Sequence, residues 1–221
     1  MMRPMDHEDP AARLAHELRG AIEELSSRTH AAGQLEEAVS LAAELRQLLD
    51  GPRSPRWYEA GAVGGELDEL SMAAFQSQSL YRGSQNPLAP PMALDVEDGE
   101  DGSVVVGRVT LGLAYEGPPH GVHGGYVAGL FDDVLGATQR LVDKPGVTGR
   151  LTVHYRHITP VLEELTLRAW VEEDVGRRVV SKATCHAGET LTADAEALFI
   201  RVDFTEVEER MSARRQGRQV P

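Results

Sequence analysis

The chain has one cysteine, Cys185, among its 221 residues, and it has no apolar run near the roughly 20 residues of a membrane-spanning helix. A lone cysteine cannot form a disulfide within the chain, so we expect a buried and inert thiol. The first nine residues also lack the apolar core of a secretory signal. We therefore expect a cytoplasmic protein with no membrane partner.

Positive charge is also scarce, because 22 Lys and Arg stand against 35 Asp and Glu, a formal net charge of −13. This excess disfavours nonspecific binding to nucleic acid, so no nucleic-acid partner is predicted. Repulsion is screened beyond about 8 Å at physiological salt. A local arginine cluster could therefore still hold an anionic ligand.

The first quarter of the chain has helical periodicity. Leu14 to Leu25 form one run of apolar residues at helical spacing and Leu35 to Leu49 form a second, with a break predicted near Gly33. We predict an N-terminal helical extension over residues 1–56, which packs an apolar stripe on the main domain or on a partner subunit. Residues 57–91 lack a clean period, and an irregular connector with a short helix near 67–75 is predicted there.

From Met92 onward the pattern becomes β-rich. Strands are predicted at 92–96 and 103–115, an apolar helix at 123–142, and further strands at 147–158, 165–173, 178–186 and 191–204. One apolar helix with strands on both sides of it predicts an α+β domain over residues 92–205, an antiparallel β-sheet wrapped around a central helix. Residues 206–221 are predicted to be a mobile basic tail.

A rigid Pro/Gly loop leads directly into that helix, in the sequence Gly117-Pro118-Pro119-His120-Gly121-Val122-His123-Gly124-Gly125. The first amides of a helix have no partner within the helix, and the helix dipole places partial positive charge there. Gly124 and Gly125 have no side chain, so a carbonyl oxygen could approach those amides closely. The glycines alone are equally compatible with a helix that merely starts at two glycines.

Two carboxylates, Asp132 and Asp133, interrupt the apolar helix. A carboxylate in apolar surroundings is costly unless it is paired, hydrogen-bonded or exposed in a cleft. Adjacent helix positions differ by about 100° in direction, so the two can have different roles. Asp132 is the candidate functional acid, and for Asp133 a structural salt bridge or a surface position is the better interpretation.

The spacing of these residues resembles a known signature. His123-Gly124-Gly125 followed by six residues and Asp132 is similar to the pattern of hot-dog-fold thioesterases, of the phenylacetate-pathway and thioesterase superfamily member 4 types. Thr148 to Tyr155 resembles the strand that follows the helix in that family, and Ala195 to Ile200 resembles its closing strand. The resemblance extends over about residues 92–204 and leaves out the N-terminal helices.

The resemblance implies an acyl-CoA thioesterase that needs no cofactor, with an active site at a dimer interface and with tetramers as a further possibility. It implies that Asp132 acts as general base or as nucleophile, while the Gly124 amide polarises the thioester carbonyl. Thr148 matches a position where some relatives use a hydroxyl to hold the water. His123 and Gly125 would complete the substrate-binding loop.

The helix itself supports a dimeric site. Gly124 and Asp132 are eight residues apart, so they lie about 12 Å apart along one helix and cannot both reach one thioester carbon. If two such helices run antiparallel across a two-fold axis, Gly124 of one subunit comes opposite Asp132 of the other. Two equivalent sites then follow from the symmetry.

The sequence departs from the family pattern in the loop. Some relatives carry an Asn or Gln about six residues before the helix as a second carbonyl donor, where this chain has Gly117. His120 is the candidate replacement. Other relatives have a hydroxyl residue one turn after the acid, where this chain has Gly136.

Other site predictions are less specific. Arg150 and Arg156 are candidates for the coenzyme A phosphates, although strand arginines more often pair with acids. No metal site is predicted, since His120 and His123 lack the cysteine and carboxylate pattern of a zinc site. Two other functions remain open. They are a non-catalytic acyl-thioester binder on the same fold, and a hydratase, which would need a histidine after Asp132 that this helix lacks.

Overall fold

The computed structural model describes residues 9–52, 76–99, 102–142 and 146–201. Two 3-10 turns, Leu113–Tyr115 and Thr138–Leu141, flank the central helix. The elements in chain order are the helices α1 (Pro10–Ser27) and α2 (Ala32–Leu48), the strands β1 (Ala93–Gly99) and β2 (Gly102–Thr110), the helix α3 (Gly124–Ala137), and the strands β3 (Val147–Tyr155), β4 (Glu164–Val175), β5 (Arg178–Ala187) and β6 (Thr190–Ile200).

The six strands form one antiparallel sheet in the order β1-β2-β4-β5-β6-β3. In β4, β5 and β6 buried and partly exposed residues alternate, as expected when one sheet face is covered and the other is not. The predicted α+β class and the sheet wrapped around a helix are confirmed. β3 pairs with β6 on one side only, so it forms an edge of the sheet.

Helix α3 covers the inner face of the sheet. Leu130, Phe131 and Val134 on one side of the helix are fully buried, and they pack into the same core as Leu167 and Phe199 from the strands. Such burial contributes about 1.5–3 kcal/mol per large apolar side chain. The C-terminal end of the helix is fixed by a buried 2.7 Å hydrogen bond between the hydroxyls of Thr138 and Ser181.

The structure corrects several predicted boundaries. The break between the N-terminal helices lies at residues 28–31, in the polar stretch before Gly33 where it was predicted, while Gly33 itself is inside α2. The strand predicted at 103–115 ends at Thr110, because the amides of Leu113 and Ala114 bind the Glu23 carboxylate instead of a strand partner. The helix predicted to reach Val142 ends at Ala137.

Some predictions fall on residues that the structure does not describe. The short helix near 67–75 and the tail at 206–221 both lie outside the described residues, as does the first part of the connector. The part of the connector at 76–91 is described; residues 76 and 77 are helical, and turns make up most of the rest.

The two N-terminal helices differ in how they pack. Ala12 and Ala15 of α1 are buried, and Glu23 of α1 accepts hydrogen bonds of 2.7 and 3.0 Å from the turn before α3. No residue of α2 is buried. Of the apolar stripe predicted on α1, Leu14 and Leu18 are partly buried, whereas Ile22 and Leu25 are exposed, so only its first half packs within this chain. Among the described helices, none is long and apolar enough to cross a membrane.

Candidate functional site

The loop before α3 is held in place by hydrogen bonds at both ends. The amide of His123 donates to the carbonyl of Tyr115 at 2.8 Å, and the amide of Val122 donates to the carbonyl of Thr159 at 2.8 Å. His123 is the N-cap of the helix, and its Nδ1 accepts a 3.0 Å hydrogen bond from the Gly125 amide. The start of α3 is therefore fixed relative to the sheet.

The two glycine amides are not equivalent. The Gly125 amide already donates to His123 Nδ1. It is therefore not open to a ligand, contrary to the prediction for this residue. Within the described ranges, the Gly124 amide donates to no acceptor. The hydroxyl of Tyr155, from the end of β3, donates to the Gly124 carbonyl at 2.9 Å. A free N–H at a helix N-terminus, backed by a fixed carbonyl, can stabilise negative charge on a substrate oxygen.

The position of Gly117 requires a glycine. A Cβ at this residue would lie 2.7 Å from the Cα of His123, so the Asn or Gln that some relatives carry there does not fit this loop. His120 has φ +61°, and its amide donates to the Glu116 carboxylate at 2.7 Å. The His120 side chain is exposed. The role of His120 as a second carbonyl donor stays a prediction.

Asp132 is exposed on α3 and is hydrogen-bonded to β3. Its Oδ1 accepts a 3.1 Å hydrogen bond from the Thr148 hydroxyl. The β3–β6 register shifts between Thr148 and Arg150, which marks a β-bulge at Gly149. Bulges redirect side chains at the edges of sheets. The bulge thus sits where β3 presents the Thr148 hydroxyl to the acid on the helix.

Asp133 lies in a different environment. Its side chain is only 12% exposed, and its Oδ2 is 2.6 Å from Nε of Arg82, which is itself 18% exposed. The N–H of Arg82 is not aimed well enough at this oxygen for a good hydrogen bond, so the contact is an ion pair. Burial raises the pKa of Asp133, against the opposing effect of Arg82. Asp133 is therefore structural.

The proposed phosphate-binding arginines are both paired within the sheet. Arg156 Nε lies 2.5 Å from Asp194 Oδ2, and Arg150 lies 3.4 Å from Glu196. Arg156 is the main reason why the pKa of Asp194 is lowered. Both arginine side chains are more than half exposed, so these pairs are the exposed kind that contribute little to stability.

Sequence reasoning missed Tyr81, Arg82 and Tyr155, which all contact α3. Each contact joins residues 31 or more positions apart, and no local pattern marks such a contact. The only signal was Gly129, a glycine in the middle of a helix, where a Cβ would overlap the ring of Tyr81. Cys185 is buried, and burial raises the pKa of its thiol, as an inert thiol requires. In the described part of the chain, no three His, Cys, Asp or Glu side chains are grouped to hold a metal.

Comparison with known proteins identifies relatives. No protein-family model matches the chain. It is 30% identical over 94 residues to the acyl-coenzyme A thioesterase THEM4 of Mus musculus, and 33% identical over 89 residues to that of Xenopus laevis. These matches span 42% and 39% of this chain and only 40% of each relative.

A solved structure matches over a longer range. Protein RHA08564, described as a thioesterase superfamily protein, superposes with a TM-score of 0.72 at 27% sequence identity. The superposition covers 87% of this chain and 96% of that protein. Residues 92–205 are about half of the chain, so the match also includes part of the N-terminal region.

Proposed function

We propose that the chain is a member of the thioesterase superfamily of hot-dog-fold proteins and a homodimeric hydrolase of acyl-coenzyme A thioesters, a proposal supported by its similarity to the THEM4 thioesterases and to the solved thioesterase-superfamily structure. The observation that carries the proposal is the pairing of one free amide, at Gly124, with one exposed carboxylate, at Asp132, on the same helix. These are the two groups that hydrolysis of a thioester needs, an oxyanion donor and a base or nucleophile.

The distance between the two groups favours a dimer. They lie about 12 Å apart along α3, so one carbonyl cannot reach both within a subunit. In an antiparallel pair of α3 helices, Asp132 and Thr148 of one subunit face Gly124 of the partner subunit. The open edge of β3, with Val147 and Tyr155 exposed, is a surface that a second copy could cover. A further pairing into tetramers is part of the same proposal.

The reaction then proceeds at the shared site. As a general base, the Asp132 carboxylate takes a proton from water while the water oxygen attacks the thioester carbon. The Gly124 amide stabilises the resulting oxyanion. When the carbon–sulfur bond breaks, the proton passes from Asp132 to the coenzyme A thiolate. As a nucleophile, Asp132 would instead form an acyl anhydride that water cleaves, with the same products.

Further residues around the two groups have supporting parts in this proposal. The Thr148 hydroxyl, 3.1 Å from Asp132, orients the carboxylate and its water. His123 fixes the helix start, and Gly125 leaves room above it. Gly117 and His120 shape the loop that the acyl thioester passes. Arg150 and Arg156 would bind the coenzyme A phosphates by exchanging their carboxylate partners for phosphate.

The Gly124 amide can be deleted with little change to the fold. Gly124 is the first residue of α3, a position where proline is favoured because that N–H has no helical partner. His123 has ψ 130°, which suits a residue before proline. We expect Gly124→Pro to lower kcat by about 10²–10³-fold. Gly124→Ala is the matched control, since its Cβ would lie 3.4 Å from Tyr155 Oη, an ordinary contact, and its N–H remains.

The acid is tested with Asp132→Asn in a free-thiol release assay on short, long, aromatic and hydroxylated acyl-CoAs. A loss of at least about 10²-fold is expected with an unchanged melting temperature. Turnover at the parental rate in this variant would refute the role of Asp132. Stabilisation of the parent protein by acyl-CoA, without turnover, would instead identify a non-catalytic binder.

Mixing the two inactive variants tests the shared site. A dimer of one Gly124→Pro and one Asp132→Asn subunit contains one intact site and one doubly altered site. Since half of randomly mixed dimers are of this kind, about a quarter of the parental activity should return. No recovery after complete subunit exchange would exclude a site built from both subunits.

A further inference from the structure

Residues 76–92, called the strap below, fold closely upon themselves before the sheet begins. The amide of Gly83 donates to the Ser79 carbonyl at 2.9 Å, and the amide of Met92 donates to the Tyr81 carbonyl at 2.9 Å. A Cβ at Gly83 would lie 2.5 Å from two backbone carbonyl oxygens, so this turn requires glycine. The strap is therefore a defined structure with a fixed backbone path.

The strap is anchored on two sides. Arg82 forms the ion pair with Asp133 of α3. On the other side, Gln85 donates to the Asp9 carboxylate at 2.7 Å, and Arg19 of α1 donates to the Asn86 carbonyl at 2.9 Å. Helix α1 thus braces the strap against the helix that carries the candidate acid.

These anchors place Tyr81 beside Asp132. The ring of Tyr81 lies directly on Gly129, where any side chain would overlap it. Gly129 precedes Asp132 by three residues, so the two positions differ by about 60° around the helix and about 4.5 Å along it. Thr148 donates a 3.1 Å hydrogen bond to Asp132 from β3. Asp132 therefore lies next to both the β3 hydroxyl and the part of α3 that the Tyr81 ring covers.

The Tyr81 side chain is available to a ligand. It is half-buried, and within the described ranges its hydroxyl makes no hydrogen bond. Burial is the main reason why the pKa of Tyr81 is raised, with Tyr126, Asp132 and Asp133 adding to it, so the phenol stays neutral at physiological pH. A neutral, rigidly held aromatic ring can bound an acyl group without introducing a charge.

We infer that Tyr81 is a specificity-determining residue, the wall that limits how long an acyl group can extend along α3 from the thioester held at Asp132. This inference rests on the proposed thioesterase function. It gives the N-terminal helix a purpose, because α1 keeps the strap and hence the wall in place. It also explains Gly129, since only glycine lets the ring stand so close to the helix.

The test compares Tyr81→Ala and the milder Tyr81→Leu with the parent and with Tyr81→Phe, which keeps the ring. The kcat and KM of each are measured for straight-chain acyl-CoAs from acetyl to dodecanoyl. In the truncated variants the preferred chain becomes longer, and kcat/KM rises about fourfold for each additional methylene that enters the space left by the ring. Tyr81→Phe keeps the parental chain-length profile.

Binding of non-hydrolysable acyl-CoA thioethers to the same variants is measured by thermal shift. This measurement separates the thioesterase proposal from the proposed role of Tyr81. If the parent binds the thioethers but hydrolyses nothing, the thioesterase proposal fails, and the length profile of binding still decides the role of Tyr81. If the chain-length profile is unchanged in both Tyr81→Ala and Tyr81→Leu, Tyr81 does not limit the length of the acyl group. A parent that neither binds nor hydrolyses any acyl-CoA compound overturns both.

Discussion

Asp132 and Asp133 are neighbours in the sequence, but their surroundings differ in almost every respect. Asp132 is exposed and accepts a hydrogen bond from a hydroxyl on the sheet edge. The Asp133 side chain is largely buried, and it forms an ion pair with Arg82 of the strap. A rotation of about 100° around the helix separates a solvent-exposed carboxylate from one that is held in an ion pair with the strap.

The same difference holds for the two sides of α3. The strap side is braced by α1 through Asp9 and Arg19, in contacts that are partly buried. The β3 side is exposed, and its charged residues pair in solvent. We therefore expect the strap side to stabilise the fold and, in the proposed dimer, the β3 side to meet the substrate and the partner subunit. Substitutions on each side should therefore affect different measurements.

The largest expected effect on stability is on the strap side. Arg82→Met leaves the Asp133 carboxylate buried without its partner, so the free energy of unfolding should fall by about 3 kcal/mol, measured by urea denaturation. The double variant Arg82→Met/Asp133→Leu should recover most of this loss. Asp132→Asn, on the exposed face, should change stability by less than about 0.5 kcal/mol. Equal losses in Arg82→Met and Asp132→Asn would contradict the distinction between the two acids.

The pH dependence of the Arg82→Met effect has a definite sign. The pKa of Asp133 is raised by burial, so its ionisation in the folded state costs stability as the pH rises through that pKa. Loss of Arg82 removes an interaction that lowers this pKa, and the cost increases. The stability difference between parent and variant should therefore narrow as the pH falls toward about 4, the ordinary range of an aspartate.

Some features of α3 and its surroundings could be predicted from the sequence, and others could not. The apolar helix, the alternating strands and the Gly124–Asp132 spacing follow from local patterns, because each is a property of consecutive residues. The different environments of Asp132 and Asp133 depend on Thr148 of β3 and Arg82 of the strap, which are distant from α3 in the sequence. The occupied Gly125 amide depends on the orientation of the His123 ring. Contacts of this kind are set by tertiary packing, so a single sequence does not reveal them.

On the β3 side, Thr148 has the next largest expected effect. Thr148→Val keeps the shape of the side chain but removes the hydroxyl that orients Asp132. We expect kcat to fall about tenfold, since one hydrogen bond to a charged group contributes about 1.5 kcal/mol. Thr148→Ser should retain most of the activity, and urea denaturation should show little change in stability for either variant. A large loss of stability in Thr148→Val would mean that β3, like the strap, mainly stabilises the fold.

The smallest effect is expected for Arg156, also on the β3 side. We expect Arg156 to leave Asp194 and bind a coenzyme A phosphate. Arg156→Ala should then raise KM about 3- to 5-fold with kcat unchanged, because this contact is the same in the ground state and the transition state. The increase should shrink at high salt, as exposed charge interactions do. Asp194→Asn is the matched control, because it frees Arg156 and should lower KM. An unchanged KM in both variants would mean that the Arg156–Asp194 pair takes no part in binding, and that the open side of α3 holds its substrate through other contacts.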